Sequence, residues 1–119
     1  MIIGIGTDLI EVNRVLHACE NNKFLKRCYT SGEIALITAD KKKSADNFAV
    51  KEAVAKMFGT GFRGFSLIDI EVLRDEYGKP FVNLYGRAAG LAKDLGVNRI
   101  HVSITNTKDY ASAFVIGEC

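Results

Sequence analysis

The chain opens on an alternation. Ile3 and Ile5 are separated by Gly4 and Gly6, the period of a strand, which predicts β structure over residues 1–7. The two glycines leave one face of that strand open to close approach. Val12, Val15 and Leu16 then recur at helical spacing. Residues 44–58 (SADNFAVKEAVAKMF) predict the longest helix, with Gly59 or Gly61 suited to its C-cap. Further on, Ile68, Ile70 and Val72 alternate with Asp69, Glu71 and Leu73 as a strand does. A turn at 75–80 follows, then a strand at 81–85. Residues 86–95 read as a helix despite Gly90, and Gly96 ends them. A second hairpin pairs 100–105 with 111–116 across 106–109. The expectation is one α+β domain over residues 1–119, a small and mostly antiparallel sheet with packed helices.

The long helix carries the first chemical question. At helical spacing Ala49, Val50, Ala53, Val54, Met57 and Phe58 cover one broad side. Phe48, Ala55 and Gly59 lie opposite, flanking Glu52. A helix apolar nearly all round is a buried helix, so Glu52 sits in restricted surroundings and needs a partner. The competing account is an exposed Glu52–Lys56 pair at i, i+4, worth only a few tenths of a kcal/mol. Asp8 is open in the same way. Asp8-Leu9-Ile10-Glu11 makes a respectable capping box for the next helix, and Asp8 is equally free to serve as a ligand.

Taken together, the two carboxylates mean more than either alone. Magnesium is typically held by one or two carboxylates, waters and substrate phosphates, and Asp8 with Glu52 supply such a pair. Lys56, one turn beyond Glu52, can reach a phosphate oxygen. The Gly59-Thr60-Gly61 backbone can approach a phosphate closely because glycine lacks a Cβ. Neither a P-loop pattern nor G-x-G-x-x-G is present.

Composition narrows the class. Of 119 residues 48% are hydrophobic and 25% charged, a globular balance, and the core is small enough that a deep site is easier to build between subunits. No apolar run spans a bilayer, and MIIGIGTD lacks the features of a signal peptide, so a cytoplasmic location is the expectation. Cys19, Cys28 and Cys119 form no CxxC pair and suggest neither a disulfide framework nor a zinc site. A net charge of +2 is too weak to argue for nucleic acid. Its distribution says more. Lys23, Lys26, Arg27 and Lys41-Lys42-Lys43 lie between Arg14 and Lys43, against only Glu20, Glu33 and Asp40. Such a face attracts an acidic partner or phosphates, although a solvated surface has the same look.

Three motifs in one order make a resemblance. Gly6-Thr7-Asp8 with Arg14 matches G-x-D-x(5)-R. Phe48, Lys51, Glu52, Ala53, Lys56, Gly59 and Gly61 match a second motif, with Met57 in place of its usual alanine. VSITNTKDYA at 102–111 matches a third. With these spacings the chain resembles, from end to end, the holo-acyl-carrier-protein synthases, the short type of phosphopantetheinyl transferase.

The resemblance implies the phosphopantetheinyl transferase fold and an enzyme of fatty acid biosynthesis. Such an enzyme transfers the phosphopantetheine arm of coenzyme A to a serine of apo acyl carrier protein, releasing adenosine 3′,5′-bisphosphate. It implies that Asp8 and Glu52 hold magnesium against the pyrophosphate and that Lys56 offsets its charge, the three forming the catalytic set. Lys56, Gly59, Gly61, Thr105 and Asn106 become coenzyme A contacts, and Arg14, Lys23, Phe24 and Arg27 a docking face for the acidic carrier protein. Short members of the family are homotrimers with sites between subunits. The proton acceptor for the serine stays open among Glu52, a water on the metal and, more weakly, Glu33. Asn106 stands where the family has a histidine thought to hold the nucleotide end. The chain is therefore expected to lack one pH-dependent contact, recoverable by Asn106→His, since asparagine cannot become positive. Two other classes compete. A non-catalytic coenzyme A module would have lost Asp8 or Glu52. A nucleic-acid binder would need a recognition motif that is absent. Lys51 belongs to the second motif but points away from Lys56, and its purpose is unassigned.

Overall fold

A computed structural model describes residues 1–119. Strand β1 (Ile2–Glu11) is followed by helices α1 (Val12–Cys19), α2 (Asn22–Cys28), α3 (Ser31–Ala39) and α4 (Lys43–Phe58). A 3-10 turn at Leu67–Asp69 leads into β2 (Ile70–Arg74) and β3 (Pro80–Leu84). Helix α5 (Gly86–Leu95), β4 (Arg99–Asn106) and β5 (Tyr110–Glu118) complete the chain. All strand pairs are antiparallel, in a three-stranded sheet ordered β1-β5-β4 and a separate β2-β3 hairpin. The α+β expectation holds.

The glycines of β1 set the architecture. Residues of even number on β1 face α4, and a Cβ built on Gly6 would lie 1.8 Å from the Ala53 carbonyl oxygen. Gly4 meets Met57 in the same way, at 2.4 Å from its carbonyl oxygen. The helix backbone therefore rests directly on the strand, which no side chain at these positions would allow. Ala49, Val50, Ala53 and Val54 are fully buried, and with Ile70, Val72, Ala113 and Val115 they form the main core. Gly59, at φ 80°, ends α4 in the left-handed conformation anticipated for it.

One local expectation is overturned. β1 does not stop at residue 7. It stays paired with β5 as far as Glu11, opposite Tyr110. Asp8 thus lies mid-strand opposite Ala113 and caps nothing, and Glu11 holds the N-cap position of α1 without a side-chain bond. Sheet pairing outweighs a four-residue capping signal here, because residues 8–11 continue the antiparallel ladder with β5 instead of turning into the helix. The short helices between residues 22 and 39 have clear local causes. Asn21 Oδ1 accepts from the Lys23 and Phe24 amides, and Thr30 with Glu33 forms a complete capping box.

Candidate functional site

Strand β1 and helix α4 bring three of the anticipated residues to one place. Asp8, at the margin of the sheet, receives the Lys56 ammonium at 3.0 Å across 48 residues of sequence. Lys56 thus closes on Asp8 rather than on Glu52 one turn back. Glu52 is half-buried on the same flank. Burial raises its pKa above the ordinary carboxylate value, the Asp8 charge adds to the rise, and Lys56 partly offsets both. Two carboxylates near enough to feel each other's charge, with one lysine beside them, suit a hard divalent cation that keeps waters or phosphate oxygens as further ligands. No cluster of three or more His, Cys, Asp or Glu side chains able to hold a metal is present. Gly59 and Gly61, both at positive φ and exposed, follow directly beyond Lys56.

Lys51 finds its place in the core. It is fully buried, and its ammonium donates to Glu33 at 2.7 Å, to the Leu67 carbonyl at 2.9 Å and to the Ile70 carbonyl. Burial pulls its pKa down, and the Glu33 charge pulls it back up. Glu33 also accepts from Asn47, from the Thr30 amide and from the Val72 amide. This answers two sequence questions at once. Glu33 is locked in the interior and unavailable as a proton acceptor for a substrate. Lys51 ties α4 to β2, holding the helix that carries Glu52.

Asn106 lies on β4, at the other margin of the sheet. Its Nδ2 donates to both oxygens of Asp46, at 3.0 and 3.1 Å, and Asp46 is itself buried on the first turn of α4. These residues border a polar cleft of about 370 Å³, together with Lys43, Arg74 and the Gly78-Lys79-Pro80 turn. Sequence reasoning missed Asp46, Arg74 and Lys79, whose only signal was charge beside a turn. Thr105 projects from the opposite face of β4, as its pairing with Ser112 requires, and does not join Asn106. Asp8 is on β1 and Asn106 on β4, the two margins of the sheet, about 10 Å apart across the strands. Helix α4 runs between them. Asn47 and Glu52 project from it roughly 140° apart at 3.6 residues per turn.

The anticipated docking residues converge more closely. Arg14 borders an apolar cleft of about 500 Å³ with Val15, Phe24, Phe48 and Tyr110. Phe24 stacks on Phe48 with ring centroids 6.5 Å apart, and the Arg27 guanidinium lies 6.0 Å from the Phe24 centroid. Lys23 is exposed on the same short helix.

Comparison with known proteins matches this arrangement to a class. A family model described as the 4′-phosphopantetheinyl transferase superfamily matches residues 4–115, and the chain belongs to that superfamily of transferases. Within it the relatives are more specific. A holo-[acyl-carrier-protein] synthase of Lachnoclostridium phytofermentans is 64% identical over 118 residues, covering 99% of this chain and 97% of the relative. The crystal structure of holo-[acyl-carrier-protein] synthase from Neisseria meningitidis superposes with a TM-score of 0.90 at 31% identity, covering all of both chains. That of the Bacillus anthracis synthase, in complex with coenzyme A (3′,5′-ADP), gives 0.81 at 34%, covering 99% of this chain and 97% of that one. This chain is a member of the holo-[acyl-carrier-protein] synthase family.

Proposed function

We propose that this protein, as one domain over residues 1–119, transfers the 4′-phosphopantetheine group of coenzyme A to a serine of apo acyl carrier protein. The convergence of Asp8, Glu52 and Lys56 beside a glycine-rich helix end carries the reading. The serine oxygen attacks the phosphorus that bears pantetheine. A new O–P bond forms, the bond to the bridging pyrophosphate oxygen breaks, and adenosine 3′,5′-bisphosphate leaves with that oxygen. The serine proton goes to a basic group at the site, and Glu52, whose carboxylate is not engaged by Lys56 as that of Asp8 is, is the better acceptor of the two. Lys56 neutralises charge on the pyrophosphate, while Gly59 and Gly61 let backbone approach it. Asp8 and Glu52 would hold magnesium, which when bound supplies Lewis-acid stabilisation of phosphate charge.

The working form we infer is a homotrimer with its sites between subunits. Two observations support it. The outer face of the three-stranded sheet leaves Ile5 59%, Leu9 65%, Phe114 45% and Tyr110 47% exposed, an apolar patch of the kind that marks an interface. The carboxylate pair and the polar cleft also lie on opposite margins of one sheet, so a nucleotide reaching both is best served by two chains. Arg14, Lys23 and Arg27 around the Phe24–Phe48 stack suit an acidic carrier protein that inserts one apolar side chain. Opposite charge there chiefly raises the encounter rate. No helix is long and apolar enough to cross a membrane. A cytoplasmic role in fatty acid biosynthesis, without nucleic acid or membrane partners, fits this reading. The test is incubation with coenzyme A, magnesium and apo carrier protein, followed by intact-protein mass spectrometry. A phosphopantetheine adduct on the carrier serine is expected, absent without magnesium and absent with Glu52→Gln. An unmodified carrier protein overturns the reading.

A further inference from the structure

The polar cleft bordered by Asp46, Arg74 and Asn106 contains more construction than a coenzyme A contact at Asn106 requires. Three cations surround it, but they differ in kind. Lys43 and Lys79 are flexible ammonium groups, Lys79 on an exposed turn. Arg74 is half-buried, and its guanidinium is aimed. Nη2 donates to Asn47 Oδ1 at 2.9 Å and Nη1 to the Leu73 carbonyl at 3.2 Å. A guanidinium has five N–H donors, so two such bonds fix its plane and leave three for a ligand.

The acid in the cleft is handled just as specifically. Asp46 is 5% exposed, and a bare carboxylate there would repel any anion entering the cleft. Asn106 Nδ2 lies 3.0 and 3.1 Å from the two carboxylate oxygens, an arrangement in which one N–H is shared between them and the other points away. Asn106 therefore keeps one N–H for a ligand. The shared N–H holds the carboxylate in place, and Arg74 with Lys43 and Lys79 sets three cations against that one acid.

We propose that Arg74 is the specificity-determining residue of this cleft: it recognises the phosphate monoester on the adenosine 3′-oxygen of coenzyme A, with Asn47 aiming it and Lys43 and Lys79 adding positive charge around the Asp46–Asn106 pair. The inference deepens the transferase reading and rests on coenzyme A being the bound donor. The phosphate monoester is the group that separates coenzyme A from 3′-dephospho-coenzyme A, and a planar multidentate donor suits its terminal oxygens.

The experiment is titration calorimetry of the full-length chain with coenzyme A and with 3′-dephospho-coenzyme A, comparing wild type with Arg74→Gln. Melting temperature serves as the control for folding. Wild type should prefer coenzyme A by at least tenfold, and Arg74→Gln should bring that preference to within about threefold of unity by weakening coenzyme A alone. Arg74→Lys should keep part of it. A wild type without preference, a variant that retains it, or equal weakening of both ligands would each overturn the assignment, the last by reducing Arg74 to a structural role. Binding is read without catalysis, so a chain that binds with this preference but transfers nothing would sink the transferase reading and leave the specificity of Arg74 standing.

Discussion

Lys51→Met gives the sharpest test of the physical account. The substitution keeps most of the side-chain volume but removes an ammonium with two buried acceptors, on Glu33 and Ile70, and a part-buried one on Leu67. Glu33 is then a buried carboxylate without its counter-charge, and the Leu67 and Ile70 carbonyls each lose a donor. Breaking one partner of a buried pair costs about 3–5 kcal/mol. Glu33 keeps its bonds from Asn47, Thr30 and Val72, so the lower half of that range, about 3–4 kcal/mol, applies here. A chain of this length has an unfolding entropy of about 0.25 kcal/mol/K, so the melting temperature should fall by about 12–16 °C. The assay is thermal denaturation followed by circular dichroism at fixed protein concentration, because assembly would shift the midpoint by mass action. Glu33→Gln and the double variant complete a cycle. Removing both charges leaves no stranded ion, so the double variant should be less destabilised than the sum of the singles by at least about 1 kcal/mol. A Lys51→Met midpoint within about 4 °C of wild type, or strictly additive singles, would refute the buried-pair argument.

Three further outcomes follow from other parts of the fold. Glu52 has a folded pKa above its unfolded value of 4.5, so between the two values the folded chain binds the extra proton and stability falls as pH rises. In metal-free buffer Glu52→Gln should therefore melt higher than wild type at pH 8, with the difference gone by pH 4; a lower-melting variant at pH 8 would contradict this. Gly6→Ala sets a Cβ 1.8 Å from the Ala53 carbonyl oxygen, where backbone must move, and should cost about 3 kcal/mol or more in urea unfolding. An unchanged urea midpoint would mean that α4 does not rest on β1. Leu9→Lys with Phe114→Glu places two charges on the exposed apolar sheet face. Sedimentation velocity should then show monomer where wild type sediments as a trimer, and a wild type that is already monomeric would remove the proposed interface.

Much of this was legible from the chain alone, for local reasons. Helix α5 falls on the anticipated residues, and α4 and the two hairpins lie within two residues of their anticipated positions, because each is set by periodicity and by glycines at its ends. Asp8, Glu52 and Lys56 could be named from motif spacing, and the glycines of β1 announced a close approach. The misjudged features share a physical cause. The Asp8 capping box is a sound local signal, but strand pairing with residues a hundred positions away outcompetes it.

What the tertiary structure decided is which polar groups meet. Lys51 and Glu33 are 18 residues apart, and Asp46 and Asn106 are 60 apart. No helical wheel or turn signal relates such pairs, since their contact depends on how α4 crosses the sheet. The same crossing separates the carboxylate pair from the polar cleft, pairs Asn106 with Asp46, and brings Arg74 to the border of that cleft. Periodicity determines which face of an element is buried; only packing determines what that face touches.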